Sequence, residues 1–404
     1  MNVNRLPAQI MRWRDDQTEA RGWLVIDSLI NGVSGGGLFM HLDATLEEVV
    51  DVAATMSLKN TLQEPQFGGG KGGIQFDPHS PAAVGVLRRF MMAHRAVIEH
   101  QWSTGGDLYT SNEVIERIAQ EDLRLPSAFV ALANMLSRRY NIPSQAATVS
   151  ERIAKPWNEH FSLGQAATGH SVAESIRLVA LGRPRVAIQG FGTVGSSLAH
   201  FLTASDIGTV AGICEKDGWL SSPGGIDVEV LLQCRKSLCH RPAALRSFAQ
   251  AGLPKGWRWT PRKDGQPDEE LLAEFITAVQ PDVISPCATR YALTEMVMQA
   301  FTSSYGRYVV CGANNAFSST ELSEEYRRRG LTILPEWVSN AGTAILFVEI
   351  LKTVRWENQA AERIFAAITE RIARFLAKNV TAYSSDVPTM TDFRGASTQR
   401  SRVG

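Results

Sequence analysis

The feature that most constrains the fold of this sequence is a glycine motif between two apolar runs. Residues 190–195 are Gly-Phe-Gly-Thr-Val-Gly, the G-x-G-x-x-G pattern. The run RVAIQGF (185–191) leads into it, SSLAHFLTAS is predicted to follow as a helix, and TVAGICE (209–215) is a second apolar run. Strand, glycine turn, helix and strand make a βαβ unit, which implies a parallel sheet. The sequence therefore predicts an α/β protein with a Rossmann-type, doubly wound dinucleotide-binding domain.

The same motif predicts where a dinucleotide binds. Gly190 allows the tight turn, Gly192 lets the backbone approach a pyrophosphate at the helix N-terminus, and Gly195 lets the helix pack closely on the strand. The predicted cofactor-binding residues of this turn are Gly190, Gly192, Thr193, Val194 and Gly195. The alternative is a glycine-rich turn that binds no nucleotide.

The end of the second strand predicts which dinucleotide is preferred. Glu215 follows the motif by about 20 residues, the spacing at which an acidic side chain accepts hydrogen bonds from the adenosine ribose. A carboxylate at this place repels a 2′-phosphate, so NAD is the expected cofactor. Lys216 comes next in the chain and could pair with a 2′-phosphate. NADP therefore stays open.

Length and composition indicate an ordinary globular protein of two domains. The chain has 404 residues, 44% of them hydrophobic and 20% charged, and a single core stops growing at roughly 250–300 residues. Lys plus Arg and Asp plus Glu both total 41, so the formal net charge is zero. Binding to nucleic acid or a membrane surface through bulk charge is therefore not expected. The five cysteines have irregular spacing and no C-x-x-C, so neither disulfides nor a metal site is expected.

The apolar pattern along the chain supports this division. The N-terminal residues lack the apolar segment of a signal peptide, and no run of about 18 apolar residues occurs, so a cytoplasmic protein without a membrane span is expected. Two further strand candidates, DVISPCA (282–288) and YVVCGAN (308–314), end in small or polar residues that suit a ligand crevice. Residues 241–272 are interpreted as a surface excursion, and 385–404 as a flexible tail.

A second glycine cluster surrounds a lysine. Gly68-Gly-Gly-Lys71-Gly-Gly73 lies in FGGGKGGIQFDP (67–78), which is expected to lack regular structure and does not have P-loop spacing. Glycines on both sides let backbone shield Lys71 from water, which disfavours the charged amine and suits a general base. Lys59 ends a predicted helix (46–62), and Asp107 follows two glycines. The sequence thus predicts a site of two lysines and one aspartate.

Each of these three residues also has a purely structural interpretation. Lys59 could be a solvated helix lysine, Lys71 could be a lysine in a glycine loop without catalytic use, and Asp107 could be a helix-capping or turn aspartate. The residues alone do not decide between these interpretations and the catalytic one.

The order of motifs adds a further argument. LKN, GGGKGG, a glycine-preceded Asp, ATG, GFGTVG, PCA, GANN and NAG occur in that order between about 23 and 350. In this the sequence resembles the glutamate/leucine/phenylalanine/valine dehydrogenases. The resemblance implies reversible oxidative deamination of an L-amino acid to a 2-oxo acid and ammonium, with NAD or NADP as the cofactor.

The resemblance also implies domains and partners. Residues 1–150 would bind substrate and form the interface of a homo-oligomer, with the C-terminal helices at about 345–384 packing back on them. Residues 151–344 would bind NAD. Small molecules would be the ligands, with no nucleic acid or membrane partner.

Individual roles follow from the matched motifs. By similarity, Lys59 would bind the substrate α-carboxylate, Lys71 would be the catalytic lysine, and Asp107 would move protons to and from the amino group. Thr168 would contact the nicotinamide carboxamide. Asn315 and Asn340 would hold the nicotinamide ribose and the substrate.

Departures from the family pattern bear on the substrate. Where glutamate-specific members have a lysine and a serine for the side-chain carboxylate, this chain has Ser34 and Phe347. An unpaired buried carboxylate would cost several kcal/mol. The predicted side-chain residues are Ser34, Gly105, Ala344 and Phe347. They favour a bulky apolar or aromatic amino acid, phenylalanine or tryptophan ahead of leucine or valine, with glutamate as the alternative.

Two other departures and two rival functions remain. Glycine is more usual in the segment after Asp107, and the approach to ATG has lost an arginine. A 2-hydroxy acid dehydrogenase would explain the glycine turn but not GGGKGG. A catalytically silent NAD-binding homologue would explain the fold and the departures.

Overall fold

The structure is a computed structural model that describes residues 6–237 and 244–383. The predicted flexible tail at 385–404 and Cys239 lie outside the described residues. The chain divides into two compact units. The first contains Met1–Lys155 and Ala344–Ile364, and the second contains Pro156–Thr343 and the chain from Phe365. The sequence-based prediction assigned the helices to about residue 384 to the first domain, whereas here the chain from Phe365 belongs to the second unit.

The strands are short, and most follow the apolar runs of the sequence. They are β1 (Gln9–Arg14), β2 (Arg21–Ile26), β3 (Ser34–Gly35), β4 (Leu38–His41), β5 (Gly68–Gln75), β6 (Trp102–Ser103), β7 (Arg185–Gln189), β8 (Thr209–Glu215), β9 (Gly218–Ser221), β10 (Arg258–Pro261), β11 (Val283–Pro286), β12 (Tyr308–Val309) and β13 (Thr332–Ile333).

The helices lie between these strands and at the C-terminal end of the described chain. They are α1 (Leu46–Asn60), α2 (Ala83–Ala93), α3 (Arg95–His100), α4 (Asn112–Glu121), α5 (Val130–Tyr140), α6 (Val149–Ala154), α7 (Leu163–Val179), α8 (Thr193–Ala204), α9 (Val228–Ser237), α10 (Ala244–Ala251), α11 (Asp268–Val279), α12 (Glu295–Ser303), α13 (Thr320–Arg328), α14 (Glu336–Ser339), α15 (Gly342–Lys352) and α16 (Ala360–Tyr383).

The first unit is built on a mixed sheet with β5 at its centre. The strand order is β1-β2-β5-β3-β6, and β4 pairs with the same edge of β5 further along. Helix α1 covers one face of the sheet, where Val49 and Ala53 pack on Val25 and Phe39. The other face carries a larger core that includes Leu24, Ile74, Phe90, Trp102 and Ile115. Both faces of β5 are therefore buried.

The glycine cluster contradicts the prediction that it lacks regular structure. Gly68–Gln75 forms β5, which pairs antiparallel with β2 and parallel with β3 and β4. Glycine is a poor strand residue in general. It is tolerated in a strand where a neighbouring backbone approaches closely, and β5 lies directly under α1.

The second unit contains the predicted parallel sheet. Its order is β10-β9-β8-β7-β11-β12-β13, with β8, β7, β11, β12 and β13 parallel. The strands β9 and β10 add an antiparallel edge. Strand β7 lies between β8 and β11, so the chain reverses its direction of progress across the sheet here. This is the point at which open α/β sheets bind ligands.

The segment 241–272 is more regular than predicted. Its described residues include α10, the edge strand β10 and the start of α11. Strand β10 is defined by its antiparallel pairing with β9. The sequence of β10 alone does not reveal this pairing. Among the cysteines that the structure describes, Cys214, Cys287 and Cys311 are buried free thiols. Between residues 6 and 237 and between 244 and 383, no helix has both the length and the apolar character needed to cross a membrane.

Candidate functional site

The face of β5 that packs on α1 explains the glycines near Lys71. A Cβ added at Gly69 would lie 2.1 Å from the backbone nitrogen of Ser57, and one at Gly73 would lie 2.4 Å from Val49 Cγ2. Both neighbours belong to α1. Side chains alternate along a strand, so Lys71 points to this same face. Helix α1 can approach β5 only because Gly69 and Gly73, the neighbours of Lys71 on this face of the strand, have no side chain.

The result is a lysine that is almost completely removed from water. Lys71 is 1% exposed, and its amine lies 5.9 Å from the centre of the Phe39 ring. Lys71 Nζ donates a hydrogen bond to Asp107 Oδ2 and forms an ion pair with it. A buried amine paired with a carboxylate can exchange protons with a bound group.

Asp107 reaches Lys71 from the loop after β6. Its backbone N–H donates to Thr110 Oγ1 at 2.9 Å, and its Oδ1 accepts the Leu108 N–H at 2.7 Å. Burial raises the pKa of Asp107, but the charge and hydrogen bond of Lys71, the Leu108 N–H and the charge of Lys59 together lower that pKa below its ordinary value. Asp107 is therefore ionised at neutral pH.

Lys59 lies in the last turn of α1, as the sequence predicts. Thr45 caps the start of the helix by accepting the Glu48 N–H at 3.2 Å. At the other end Lys59 is 7% exposed, and its charge acts on Asp107. The structure therefore brings Lys59, Lys71 and Asp107 together within the first unit.

The loop after Asp107 shows why glycine is more usual there. Tyr109 has a φ of 59°, in the left-handed region that costs a residue with a Cβ roughly 1–2 kcal/mol. Its ring packs edge-on against His79, with centroids 5.7 Å apart. Tyr109 therefore occupies a backbone conformation that glycine adopts at less cost.

The residues predicted to contact the substrate side chain lie in the first unit. Phe347 on α15 stacks on Phe129, with ring centroids 4.2 Å apart. A Cβ added at Gly105 would lie 3.1 Å from Phe129 Cζ. Ala344 is half-buried in the first turn of α15. Ser34 is fully buried and donates its hydroxyl hydrogen to Gln101 O at 2.9 Å.

Two residues of this unit were missed by the sequence analysis. Phe129 has no local signal, since its importance lies in its contact with Phe347, far along the chain. Asn60 stands in the LKN motif, which could have identified it. Its amide donates to Gly35 O at 3.1 Å and to Gly68 O at 2.7 Å.

The glycine turn of the second unit has the predicted geometry. Gly190 has a φ of +91°, and a Cβ added at Gly195 would lie 1.9 Å from Gly190 O. Gly192 caps α8 and has open space where a Cβ would be. Thr193 is exposed, and Val194 Cγ1 would lie 2.7 Å from a Cβ at Gly312. The first N–H groups of α8 are thus accessible to an anion such as a pyrophosphate.

Glu215 stands at the end of β8 beside this turn. Its Oε1 accepts the backbone N–H of Phe191. Burial raises the pKa of Glu215, the Phe191 N–H opposes that rise, and the charge of Asp217 adds to it. The predicted hydrogen bonds to an adenosine ribose would use the remaining acceptor positions of the carboxyl.

The other predicted contacts of the second unit surround the ends of β12 and α14. Thr168 Oγ1 and Thr343 Oγ1 are 2.7 Å apart. Asn315 has a φ of 50° and donates its N–H to Glu336 Oε1 at 3.1 Å. Asn340 is 5% exposed and donates to Asn314 Oδ1 at 2.9 Å. Its Oδ1 is buried without a hydrogen-bond partner among the described residues, which fits an acceptor kept for a ligand.

A histidine and two glutamates form the group that could hold a metal ion in the described part of the chain. Donor atoms of Glu159, His160 and Glu229 lie within 4.8 Å of one another. His160 Nε2 is 2.9 Å from Glu229 Oε1, so a direct hydrogen bond already joins two of the three. The predicted sites contain none of these residues.

Comparison with protein families matches both units. Residues 6–122 match the family described as Glu/Leu/Phe/Val dehydrogenase, dimerisation domain. Residues 158–398 match Glutamate/Leucine/Phenylalanine/Valine dehydrogenase. The second match alone spans more than half of the chain.

Individual relatives agree with this result. The chain is 26% identical to a glutamate dehydrogenase of Thermotoga maritima over 352 residues, which cover 83% of this chain and 74% of that protein. It is 28% identical to a probable glutamate dehydrogenase of Sinorhizobium fredii over 346 residues, 80% of this chain and 69% of that protein.

Solved structures share the fold. Glutamate dehydrogenase 2 of Plasmodium falciparum superimposes with a TM-score of 0.66 at 17% identity, over 94% of this chain and 81% of that one. A hetero-hexameric glutamate dehydrogenase of Thermus thermophilus, in a Leu-bound form, gives 0.64 at 21% identity, over 91% and 82%.

Proposed function

Since the chain belongs to the glutamate/leucine/phenylalanine/valine dehydrogenase family, we propose that it catalyses the reversible oxidative deamination of an L-amino acid with NAD or NADP. In this reaction the amino acid, the oxidised cofactor and water give a 2-oxo acid, ammonium, the reduced cofactor and a proton. The observation that carries the proposal is the ion pair between the buried Lys71 and the partly exposed Asp107, with the buried Lys59 beside it.

The three charged residues of the first unit would divide the work. Lys59 binds the α-carboxylate of the substrate. Lys71 activates the water that attacks the α-carbon of the imine and stabilises the charge that develops there. Asp107, ionised because its pKa is lowered, accepts a proton from the amino group and returns it to the leaving ammonia. Both proton-transfer groups act within hydrogen-bond reach of each other.

The residues of the second unit fit a bound dinucleotide. The open turn at Gly192 and the accessible start of α8 suit a pyrophosphate. Asn340 Oδ1, which has no hydrogen-bond partner among the described residues, suits a nicotinamide ribose. When bound, the cofactor supplies the hydride acceptor. The half-buried Glu215 favours a ribose with free hydroxyls, so NAD is the preferred form.

Two substrate classes each have one supporting observation. The named relatives are glutamate dehydrogenases, and on that ground glutamate is better supported than the bulky apolar substrate predicted from the sequence. The local geometry favours an apolar side chain. Phe129 and Phe347 stack, and the hydroxyl of Ser34 is buried and bonded to backbone, so neither position offers a γ-carboxylate a cation.

The deciding experiment is NADH oxidation with ammonium and a panel of 2-oxo acids. The panel contains 2-oxoglutarate, phenylpyruvate, indolepyruvate, 4-methyl-2-oxopentanoate and 3-methyl-2-oxobutanoate. Ammonium-dependent turnover establishes the reaction, and the best oxo acid selects the substrate class. Turnover that does not require ammonium would indicate a 2-hydroxy acid dehydrogenase. NADH binding without turnover of any oxo acid would contradict the proposal and indicate a silent homologue.

The stacked aromatic pair gives a second measurement of substrate class. Phe347→Ser combined with Ser34→Lys restores the polar pair that glutamate-specific members are expected to have. If the wild type prefers an apolar oxo acid, the double variant should shift the ratio of kcat/KM towards 2-oxoglutarate by at least tenfold. Val354→Ser, which changes an exposed side chain just after the same helix, is the matched control and should not shift it.

The family match also supports a proposal about the oligomeric state of the protein. The match of residues 6–122 to a dimerisation domain supports a homo-oligomer formed through the first unit. Light scattering of the purified protein would measure the subunit number, and a monomer at micromolar concentration would contradict this part of the proposal.

A further inference from the structure

A group of polar side chains joins the last turn of α1 to the start of β5, and none of them belongs to the proposed reaction. Ser57 donates its hydroxyl hydrogen to Asp27 Oδ2. Ser28 Oγ lies 2.7 Å from Ser57 Oγ. The backbone N–H of Gly69 donates to both hydroxyls at 3.2 Å. Helix, strand and the end of β2 are thus linked at one point.

Asn60 makes a second link one turn further along the same helix. Its amide donates to Gly35 O at 3.1 Å and to Gly68 O at 2.7 Å. Asn60 is 3% exposed, so these bonds are sheltered from water. They join α1 to the neighbouring strands β3 and β5.

These hydrogen bonds lie next to Lys59 and Lys71 in the chain. On the helix, Lys59 stands between Ser57 and Asn60. On the strand, Lys71 stands two residues after Gly69, on the same face. Gly68 and Gly69 have no side chains that could fix the strand by interlocking with the helix. The hydrogen bonds to the backbone of Gly68 and Gly69 therefore fix the distance between α1 and β5.

From this juxtaposition we propose that Asp27, Ser57 and Asn60 are positioning residues that hold Lys59 at a fixed distance from Lys71 and Asp107. None of the three is among the residues proposed above to bind substrate or cofactor, and the inference rests on the roles proposed above for the two lysines. Orientation at this level matters, because a displacement of about 1 Å can reduce the rate by roughly 10²-fold.

The test uses four variants of the full chain with the amino acid that the wild type prefers. Ser57→Ala and Asp27→Ala remove the link. Asp27→Asn keeps an oxygen that accepts from Ser57 and should rescue activity. Thr55→Ala is the matched control. It removes a hydroxyl from the same helix whose hydrogen bond, within the described part of the chain, goes to Asp51 O of that helix.

We expect Ser57→Ala and Asp27→Ala to lower kcat/KM for the amino acid by about 10–100-fold. The KM for the amino acid should rise, because Lys59 is displaced. The dissociation constant for NADH should change by less than about twofold, because the dinucleotide turn belongs to the other unit. Asp27→Asn and Thr55→Ala should stay within about threefold of the wild type.

Hydrogen exchange at Gly69 supplies a readout that does not depend on turnover. Its amide should exchange faster in Ser57→Ala than in Thr55→Ala, while the midpoint of urea unfolding stays close to that of the wild type. Wild-type kcat/KM in both alanine variants, or an equal loss in Thr55→Ala, would overturn the positioning role. An inactive wild type would instead overturn the proposed function.

Discussion

The two glycine-rich segments of this chain use the same residue for opposite purposes. In β5 the glycines lie in extended backbone under a helix, and each of these glycines is buried. In the turn at 190–195 the first glycine has a φ of +91°, and Gly192 faces open space. One segment needs glycine to admit another part of the protein, and the other needs it to admit a ligand and to turn sharply.

The difference shows what each unit contributes to the chemistry. In the first unit the amine of Lys71 is buried, because α1 packs closely on Gly69 and Gly73 of β5. This amine forms an ion pair with Asp107. The second unit leaves backbone N–H groups accessible at the start of α8. A dry site strengthens the electrostatic interactions of a reacting group, whereas an accessible helix end is what binds a diffusing dinucleotide.

The largest effect should come from removing the buried charge itself. Lys71→Ala and Asp107→Asn should each lower kcat by about 10²–10⁴, the usual contribution of one acid–base group. The dissociation constant for NADH, measured by fluorescence titration, should remain close to that of the wild type. Lys255→Ala, which changes an exposed lysine, is the control. Wild-type kcat in both active-site variants would remove the pair from the mechanism.

The next effect in size should separate the two kinds of glycine directly. Gly69→Ala places a Cβ 2.1 Å from the Ser57 backbone nitrogen, which must force α1 and β5 apart. Overpacking of this kind costs about 1–3 kcal/mol of unfolding free energy. Gly192→Ala meets no atom within 4 Å, so it should leave stability nearly unchanged and weaken NADH binding instead.

Urea unfolding and NADH titration of both variants would check this contrast. The comparison fails if Gly69→Ala is as stable as the wild type, or if Gly192→Ala binds NADH normally and unfolds more easily. Gly224→Ala is a suitable control, because Gly224 also meets no neighbour and lies outside both segments.

The same contrast explains what could be predicted from sequence. The dinucleotide turn is a local device, so its strand, its helix and β8 follow from residues 185–215, and the motif match to the family extends this to Asn340. The strand β5 could not be predicted, because glycine's local preference opposes a strand and the reason for it lies in α1. The contact of Phe129 with Phe347 and the pairing of β10 with β9 likewise depend on residues distant in the chain.

Site residues follow the same division. The Lys71–Asp107 pair was predicted as a site because each residue stands beside glycines, yet the face of β5 to which Lys71 points depends on strand register. The links from Ser57 and Asn60 had no signal beyond the LKN motif. Hydrogen bonds between a side chain and a distant backbone group are set by the tertiary fold.

The smallest effect concerns two carboxyl groups whose pKa values move in opposite directions. Asp107 has a lowered pKa because Lys71 and its other partners outweigh burial. Its contribution to stability is fully present above the unfolded-state pKa of about 3.9 and is lost as pH falls through the folded-state pKa. Asp107→Asn should therefore unfold at lower urea than the wild type at pH 7, with the difference shrinking below about pH 4.

Glu215 should behave in the opposite way. Its pKa is raised, chiefly by burial, so the ionised form opposes folding at pH values above the folded-state pKa, and protonation relieves this cost as the pH falls. Glu215→Gln keeps an oxygen for the Phe191 N–H and removes the charge, so it should be slightly more stable than the wild type at pH 7 and equal to it at low pH. If both variants shifted the urea midpoint in the same direction at pH 7, the two units would not differ as argued. In the first unit the charge of Asp107 is stabilised by its partners, whereas in the second unit burial disfavours the charge of Glu215.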